Sequence, residues 1–163
     1  MFAYSNQSKA QSTVTATTAG AVIITPIVLS EVTPLHFGVM AVLSGTPGTC
    51  VLSSTGVRTA TGGVNLSAQT PAATNAAYSV TGQASTTYAL TLPGSITVSD
   101  GGGSTMTISN LLARFNGVGA DAVTSTLSAG GTDSFTVGGT LTVAAGQAAA
   151  AYAGTFDVTV AYN

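Results

Sequence analysis

The residues best suited to chemistry are one histidine and one cysteine, His36 and Cys50, which stand 14 positions apart. A thiol beside an imidazole can act as an activated nucleophile. A lone cysteine is also a common small buried hydrophobe, and a histidine next to Phe37 fits the end of a strand. Nothing in the spacing brings the two side chains together. We therefore favour the structural interpretation and expect no enzyme.

The sequence contains few residues that could bind a metal ion or a phosphate group. His and Cys are too few for a zinc site. Asp100, Asp121 or Asp133 could offer Ca²⁺ ligands together with loop carbonyls, but Asp100 precedes a run of three glycines, and Asp-Gly is a turn signal. The same glycines are not a phosphate loop, because no Lys and no helix pattern follow them. We expect no cofactor and no bound metal.

Ionic groups are scarce along the whole chain. Of 163 residues, 3 are Lys or Arg and 5 are Asp or Glu, so 5% are charged, against roughly 25% in a typical domain. Three scattered cations cannot neutralise a phosphate track, which excludes nucleic acid as a partner. We expect Arg58 and Arg114 to pair with acids or to cover apolar surface. Disorder is also excluded, because 45% of the residues are hydrophobic; the polarity comes mainly from 28 Thr and 17 Ser.

Apolar and polar residues alternate with period two along most of the chain, which indicates β-strands separated by glycine turns. Helix signals are limited to a single possible turn at residues 111–114. The Ala-rich stretch at residues 144–151 is predicted to be a loop. The sequence therefore predicts one all-β domain of short antiparallel strands, arranged as a sandwich or barrel. The clearest strand patterns cover residues 78–81, 87–92, 96–98, 106–108, 135–143 and 155–162.

The two ends of the chain differ from the middle. Residues 1–20 read as an extended arm of small and polar side chains with no hairpin partner, and such a segment must find a sheet edge elsewhere. Residues 21–29 are predicted to be the first core strand of a domain that covers residues 21–163. The last strand pattern is the clearest, with Phe156, Val158, Val160 and Tyr162 on one face and Thr155, Asp157 and Thr159 on the other.

Targeting signals are indirect. The longest apolar run, residues 21–29, is interrupted by Thr25 and Pro26 and falls short of the roughly 18 residues that a membrane span needs. Residues 1–20 lack the basic start and apolar core of a signal peptide. Ser8-Lys9-Ala10, before Gln11, resembles a signal-peptidase site. We expect an exported protein in an already trimmed form, with no membrane span.

The C-terminal block, residues 138–163, closely resembles the end of a family of secreted bacterial β-proteins catalogued as a domain of unknown function. That family is similar to chaperone–usher pilins and, more distantly, to archaic pilins and spore coat protein U. The resemblance covers roughly residues 11–163, with His36 where the family has another polar residue before Phe-Gly. Three further matches are Thr25-Pro26-Ile27, Leu35-His36-Phe37-Gly38 and residues 58–64.

The resemblance implies an incomplete immunoglobulin-like antiparallel β-sandwich, completed by an N-terminal donor strand from a neighbouring subunit. The spare arm agrees with it, as does a chain that stops one residue after its last strand pattern. Such a head-to-tail contact, where it does not close, makes a filament. We predict that the donor strand places Val14 and Ala16 in pockets, Thr18 near the rim, and Phe2 or Tyr4 in an outer pocket. The predicted acceptor groove is lined by Phe156, Val158, Val160 and Tyr162.

The expected function is therefore a structural subunit of an extracellular, cell-surface pilus or fimbria, with adhesion or biofilm formation implied by the family. Its expected partners are further copies of itself and, during assembly, a periplasmic chaperone and an outer-membrane usher. One alternative is a monomeric or tip-located carbohydrate-binding adhesin, which the 6% aromatic content and the absence of Trp make less favourable. The other alternative is a surface-coat protein that assembles laterally.

Overall fold

A computed structural model describes residues 12–116 and 119–163, and these residues form strands, turns and loops with no helix among them. Every ladder between their strands is antiparallel. The prediction of an all-β, antiparallel fold is confirmed. In chain order the described strands are β1 (Val28–Thr33), β2 (His36–Phe37), β3 (Met40–Val42), β4 (Gly48–Leu52), β5 (Arg58–Gly62), β6 (Val64–Leu66), β7 (Ala73–Thr74), β8 (Ala76–Thr81), β9 (Thr87–Thr91), β10 (Ser95–Ser99), β11 (Thr105–Phe115), β12 (Thr124–Thr126), β13 (Thr132–Val143) and β14 (Thr159–Tyr162).

The long strand β13 is the spine of the large sheet. Its first half, residues 132–137, pairs with β8, and its second half, residues 139–143, pairs with β4. β11 pairs along the opposite edge of β13 and carries β10, while β1 flanks β8 and β5 flanks β4. Gly138 stands where β13 changes partner, and a side chain there would meet the backbone of Leu52 and Ser53. The large sheet therefore forks at a position that has room only for glycine.

The small sheet has the order β12-β9-β14. β9 continues through a bend at residues 92–94 into β10, so one stretch of chain serves both sheets. The C-terminal segment follows that stretch in the antiparallel direction, since Ala153 bridges Ser99 and β14 pairs with β9. Two short pairs, β2 with β7 and β3 with β6, complete the described ladders. The chain from residue 153 to residue 162 thus borders both sheets.

The interior divides into two clusters of buried side chains. The first is rich in aromatic rings: Tyr78 stacks on Phe135 with centroids 5.0 Å apart, and Phe115 lies 5.3 Å from Phe135 and 5.8 Å from Tyr88. Such ring pairs stabilise a core by roughly 0.5–1.5 kcal/mol each beyond the area that they bury. The second cluster is mainly aliphatic and consists of Phe37, Cys50, Leu52, Val64, Ile96, Val98, Ile108, Leu141 and Val143.

A half-buried carboxylate ties the two sheets together. Asp133 in β13 accepts hydrogen bonds from the Tyr88 hydroxyl at 2.9 Å and from the Ser125 hydroxyl at 2.6 Å. Tyr88 lies in β9 and Ser125 in β12, so both donors belong to the small sheet. Burial, and then the Asp133 carboxylate, raise the pKa of Tyr88. The phenol is thereby held in the protonated form that donates to Asp133.

Raising the pH above about 8.5 is expected to destabilise this fold. Burial raises the pKa of Tyr88, of Tyr78 and of the Cys50 thiol, so folding favours their protonated forms. That contribution is complete below the pKa values of the unfolded chain, about 8.5 for Cys and about 10 for Tyr, and is lost as the pH rises past them. Urea unfolding followed by circular dichroism should show a midpoint that falls between about pH 8 and pH 11.

The matched variant for this prediction is Tyr88→Phe. It removes the hydrogen bond to Asp133 and is expected to lower the free energy of unfolding at neutral pH by about 1.5 kcal/mol. It also removes one group that ionises in alkali, so its stability should decline less steeply than that of the wild type. Parallel declines in the two proteins would show that Tyr88 does not contribute to the pH dependence.

Two local predictions from the sequence are wrong and one is confirmed. Residues 21–29 do not form a core strand: β1 begins at Val28, and residues 12–26 are exposed and outside any strand. Residues 111–114 make no helical turn but belong to β11. A bulge there, next to Asn110 with φ 50°, interrupts the alternation from which the strand could have been recognised. Residues 144–151 form a loop, as predicted.

Candidate functional site

An apolar groove of about 870 Å³ opens between two stretches of chain. One wall is residues 35–42, which contain β2 and β3 and pair with β7 and β6 along one edge. The other wall is residues 147–156, the start of the C-terminal segment. Among the described ladders, β14 pairs only with β9, and its second edge has no partner. β14 begins three residues beyond the last groove residue, Phe156, so its unpaired edge continues the C-terminal wall toward the chain end and does not line the groove itself.

The floor of the groove belongs to the large sheet. Alternate residues of β10, β11 and β13 point into it and form part of the second core cluster. Polar side chains are few, and the amide of Gln147 is already engaged, donating 2.8 Å to the Tyr152 hydroxyl. The groove thus offers aliphatic contact area and free backbone, and few fixed polar groups. The floor residues are Ile96, Val98, Met106, Ile108, Leu141 and Val143.

One arginine shapes the wall at residues 35–42. Arg58 donates from Nη1 to the carbonyls of Phe37 at 2.8 Å and Val39 at 3.3 Å, and from Nη2 to the carbonyl of Ser67 at 2.6 Å. Gly38 lies between the first two with φ 75°, and a side chain there would collide with the guanidinium. Arg58 therefore binds backbone carbonyls, and the expectation that it pairs with an acid or covers apolar surface missed this role.

Replacing Arg58 with Lys is expected to loosen this wall. Lysine keeps the charge but lacks the planar fork that reaches three carbonyls at once. The free energy of unfolding should fall by about 2 kcal/mol, and hydrogen exchange should accelerate at residues 37–42. The control is Arg114→Lys, since Arg114 makes one ion pair at 3.5 Å with Asp121 near the surface, where such pairs contribute less than about 1 kcal/mol. Equal effects of the two substitutions would contradict the role of Arg58.

The predicted acceptor residues share one face of the C-terminal segment but divide between two environments. Phe156 lines the groove and contacts both core clusters. Val158, Val160 and Tyr162 are half-buried against the first, aromatic cluster. Thr155, Asp157 and Thr159 are exposed, as the alternation predicted. The structure places one predicted residue in the groove wall and three on its continuation toward the chain end.

The predicted donor residues lie in a segment that touches no groove of its own chain. Val14, Ala16 and Thr18 belong to the exposed residues 12–26. Phe2 and Tyr4 lie outside the described residues. The described residues of the arm therefore do not line the groove of the domain to which they belong.

A three-way hydrogen-bond contact, which we call the Tyr162 clasp, holds the base of the arm. The Tyr162 hydroxyl donates to the backbone carbonyl of Thr25 at 2.8 Å and accepts from the backbone amide of Gln83 at 2.6 Å. The Thr25 amide donates to Gln83 Oε1 at 3.1 Å. Gly82 leaves room for the phenol, because a side chain there would meet the Tyr162 hydroxyl. The clasp fixes the arm to the last strand at residue 25.

The candidate nucleophile pair is not assembled in a reactive form. Cys50 is fully buried, and burial raises the pKa of its thiol more than the positive charge of Arg58 lowers it. His36 is exposed, and its Nδ1 accepts a hydrogen bond from the Gly38 amide at 2.8 Å. Among the described residues no hydrogen bond joins the imidazole to the thiol. Cys50 packs as a small hydrophobe, as we favoured from the sequence.

The three candidate calcium ligands are each engaged locally. The backbone amides of Gly102 at 2.7 Å and Ser104 at 3.0 Å donate to Asp100, and the Gly102 bond is the main cause that lowers the pKa of Asp100. Asp100 is thus a turn residue, as predicted. Asp121 accepts from the Ser54 hydroxyl and pairs with Arg114, and Asp133 forms the link between the sheets. In the described ranges no group of three or more His, Cys, Asp or Glu is placed to hold a metal ion.

Sequence reasoning missed most of the groove. The strands that carry Ile96, Val98 and Ile108 were predicted from their alternation, but alternation does not say which inward-facing residues line a groove. The opposite wall at residues 35–42 was noted only as a family match. Its signal was Leu35-His36-Phe37-Gly38, in which a glycine next to a buried aromatic residue marks a tight backbone approach.

The fold and the groove together define a class of protein: an all-β domain with an open apolar groove, preceded by residues 12–26, which are exposed and outside any strand. The chain belongs to the family described as Domain of unknown function (DUF4402), whose sequence model matches residues 27–162. No curated protein and no solved structure matches it. The predicted family membership is thereby confirmed at the level of this domain. No helix in the described part of the chain is long and apolar enough to cross a membrane.

Proposed function

We propose that this protein is a structural subunit of an extracellular filament of the pilus or fimbria type, assembled head to tail by donor-strand complementation. One observation carries the proposal: an open apolar groove of about 870 Å³ whose C-terminal wall leads into β14, a strand with one unpaired edge among the described ladders, in a chain whose residues 12–26 are exposed and outside any strand. A missing strand and a spare strand in one chain are complementary between copies. Because that contact is heterologous, it propagates as a filament.

The proposed architecture is an incomplete immunoglobulin-like sandwich. Its support is that the large and small sheets both contribute to the first core cluster and are tied by Asp133. The exposed face of the groove is the place of the missing strand. A donated strand would form ladder hydrogen bonds with the edge of the C-terminal segment and insert alternate side chains above the floor. Each apolar side chain that it buries contributes roughly 1.5–3 kcal/mol, so a few anchors suffice for tight binding.

The composition suits such a role. A chain with 5% charged residues has few ionic groups to keep it soluble as a monomer. A subunit that is seldom free does not need high solubility as a monomer. We propose further copies of this chain as the permanent partner, a periplasmic chaperone and an outer-membrane usher as transient partners, and the cell surface as the location. Adhesion and biofilm formation are the proposed uses of the filament.

The carbohydrate-binding alternative gains no support from the surface. Sugar sites use exposed aromatic rings as stacking platforms, whereas the aromatic residues in the described ranges are buried or half-buried. A surface coat that assembles laterally would leave the groove without an occupant. We also keep the expectation that the protein is not an enzyme, since neither Cys50 with His36 nor the aspartates form a reactive group in the described residues.

Electron microscopy of the purified full chain, and of material sheared from producing cells, tests the proposal. We expect thin filaments in which density from the arm of one subunit runs continuously into the groove of the next. Discrete particles whose arm folds back into the groove of the same chain would overturn it, because self-complemented monomers do not polymerise.

The filaments are expected to survive boiling in detergent at neutral pH. Closed strand edges and few charged loops leave little for detergent to attack, and the donated strand must lose many hydrogen bonds at once to leave. Gel electrophoresis of samples heated in detergent should show a series of multimer bands, which collapse to monomer after acid or strong denaturant. A series that disappears in warm detergent would contradict strand complementation. Unfolded monomer, boiled and then mixed with native filaments, is the control for adventitious aggregation.

A further inference from the structure

Resting on the proposed function, we propose that the part of the arm that anchors in the neighbouring groove is residues 20–24, with Val22 and Ile24 as the main anchors. The occupant of the groove is thus a second copy of this chain, in a register shifted toward the domain from Val14, Ala16 and Thr18. The sequence pattern had assigned residues 21–29 to the protein's own core, where Val22 and Ile24 would have been unavailable to a neighbour.

The exposure of the arm carries this inference. Val22 and Ile23 are 90% and 96% exposed, and Ile24 is half exposed, in a stretch without any strand partner. Three consecutive β-branched residues have a high preference for β-strands and bury a large apolar area when paired. In solution they are a liability that an isolated domain gains nothing from keeping. Ala16 and Thr18 offer much smaller apolar surfaces.

The alternation of the arm selects one face. Successive side chains of a strand point to opposite sides, so only every second residue can enter the groove. In a fully extended arm, the face that contains Val22 and Ile24 would also contain Val14 and Ala16, whereas Thr13, Thr15 and Thr17 would lie on the other face with Ile23; Ala16, with φ 62° in this structure, would have to become extended on binding. The even-numbered face is the more apolar over its full length. Ile23 is therefore expected to point away from the groove.

The Tyr162 clasp sets the limit of the arm. Thr25 is fixed to Tyr162 and Gln83 at 2.8 Å and 3.1 Å, so the free arm extends up to residue 24. With its base held there, residues 12–24 reach about 40 Å when extended. An anchor at residues 22 and 24 brings the two domains into direct succession, joined only through Thr25 and Pro26.

Aspartate substitutions in the full chain test the register. Val22→Asp and Ile24→Asp each place a charge where an apolar pocket is proposed, and burying an unpaired charge is far costlier than exposing one. Each is expected to reduce the filament mass that sediments by at least tenfold. Ile23→Asp is the matched control, because it makes the same chemical change at the neighbouring residue, which lies on the opposite face of the extended arm. It should assemble like the wild type. All three positions are exposed in the subunit, so circular dichroism should show unchanged folding.

The outcomes separate the register from the proposed function. Loss of filaments with Val22→Asp and Ile24→Asp, but not with Ile23→Asp, supports the register. If Val14→Asp and Ala16→Asp abolish assembly while Val22→Asp and Ile24→Asp do not, the register is wrong and strand donation stands. If Ile23→Asp alone blocks assembly, the opposite face enters the groove and the assignment of anchors fails. If all five variants form filaments, the arm is not the donor and the proposed function fails with the register.

Discussion

A chain shortened to residues 25–163 is expected to remain monomeric under conditions in which the full chain forms filaments. The truncation removes the whole free arm but leaves Thr25 in the Tyr162 clasp and every described strand in place. The groove then has no strand to receive, because each copy lacks a donor. Analytical ultracentrifugation should give one species of monomer mass, and microscopy should show no filaments. The free energy of unfolding is expected to be low, since no donated strand adds its apolar contacts to the groove.

A peptide of residues 12–24 should restore what the truncation removes. Added to the shortened chain, it is expected to bind the groove and raise the unfolding midpoint with the logarithm of its concentration once that exceeds the Kd, without producing filaments, because it cannot link two subunits. The control chain lacks only residues 1–11 and keeps the described arm. It should polymerise, and any loss of filament stability would measure the contribution predicted for Phe2 and Tyr4. Filaments from the chain of residues 25–163 would show that the subunits associate by another surface.

Substituting Gly138 with Ala is expected to destabilise the fold more than any other single methyl addition to β13. The new Cβ would meet the carbonyl oxygen of Leu52 and the backbone carbon of Ser53 at 2.5 Å. Backbone in a paired strand cannot move aside without breaking the fork between β4 and β8. Overpacking of this kind costs about 3 kcal/mol or more, a large part of the stability of a domain of this size. Urea unfolding followed by circular dichroism measures the loss.

The neighbouring Gly139→Ala variant is the control for this prediction. Its Cβ would lie 3.1 Å from Ile108 Cγ2 and from Leu111 Cδ2, which are side-chain methyl groups and not backbone atoms, and the distances are longer than those at Gly138. The expected loss is about 1 kcal/mol. If Gly139→Ala proved as damaging as Gly138→Ala, the effect would come from the strand conformation common to both glycines, and the fork would not be its cause.

The fold class could be predicted because alternation is a local property. Tyr88 and Leu90, Ile96 and Val98, and the end of the chain each show period two, and each lies in a strand or beside one in the structure. The prediction failed where the same pattern has two meanings. Residues 21–29 are as apolar as a buried strand, but the arm that we propose to serve another copy would have the same composition, because it too would be buried there.

The groove was harder to predict because it is a gap between two stretches of chain, and a gap has no sequence pattern of its own. The alternation of Phe156, Val158, Val160 and Tyr162 correctly indicated one inward face, yet only Phe156 lines the groove. Which side chains line the groove depends on how β13 divides its length between β8 and β4. That division depends on contacts between residues far apart in sequence. Arg58 was noticed as a cation, but its three carbonyl acceptors lie in two other segments, and no spacing rule places them.

The Tyr162 clasp has a mechanical consequence. In a filament held by donated strands, tension enters each subunit through its arm at residue 25 and leaves through the groove that grips the next arm. The clasp joins residue 25 directly to the C-terminal segment that forms one groove wall, since the Tyr162 hydroxyl bonds Thr25 and its own strand continues back to Phe156. Pulling force can therefore pass along the edge of the domain from one junction to the next. In the proposed filament, the residues from Phe156 to Tyr162 that would carry this load pack against the aromatic cluster, so that cluster would brace the loaded edge of each subunit.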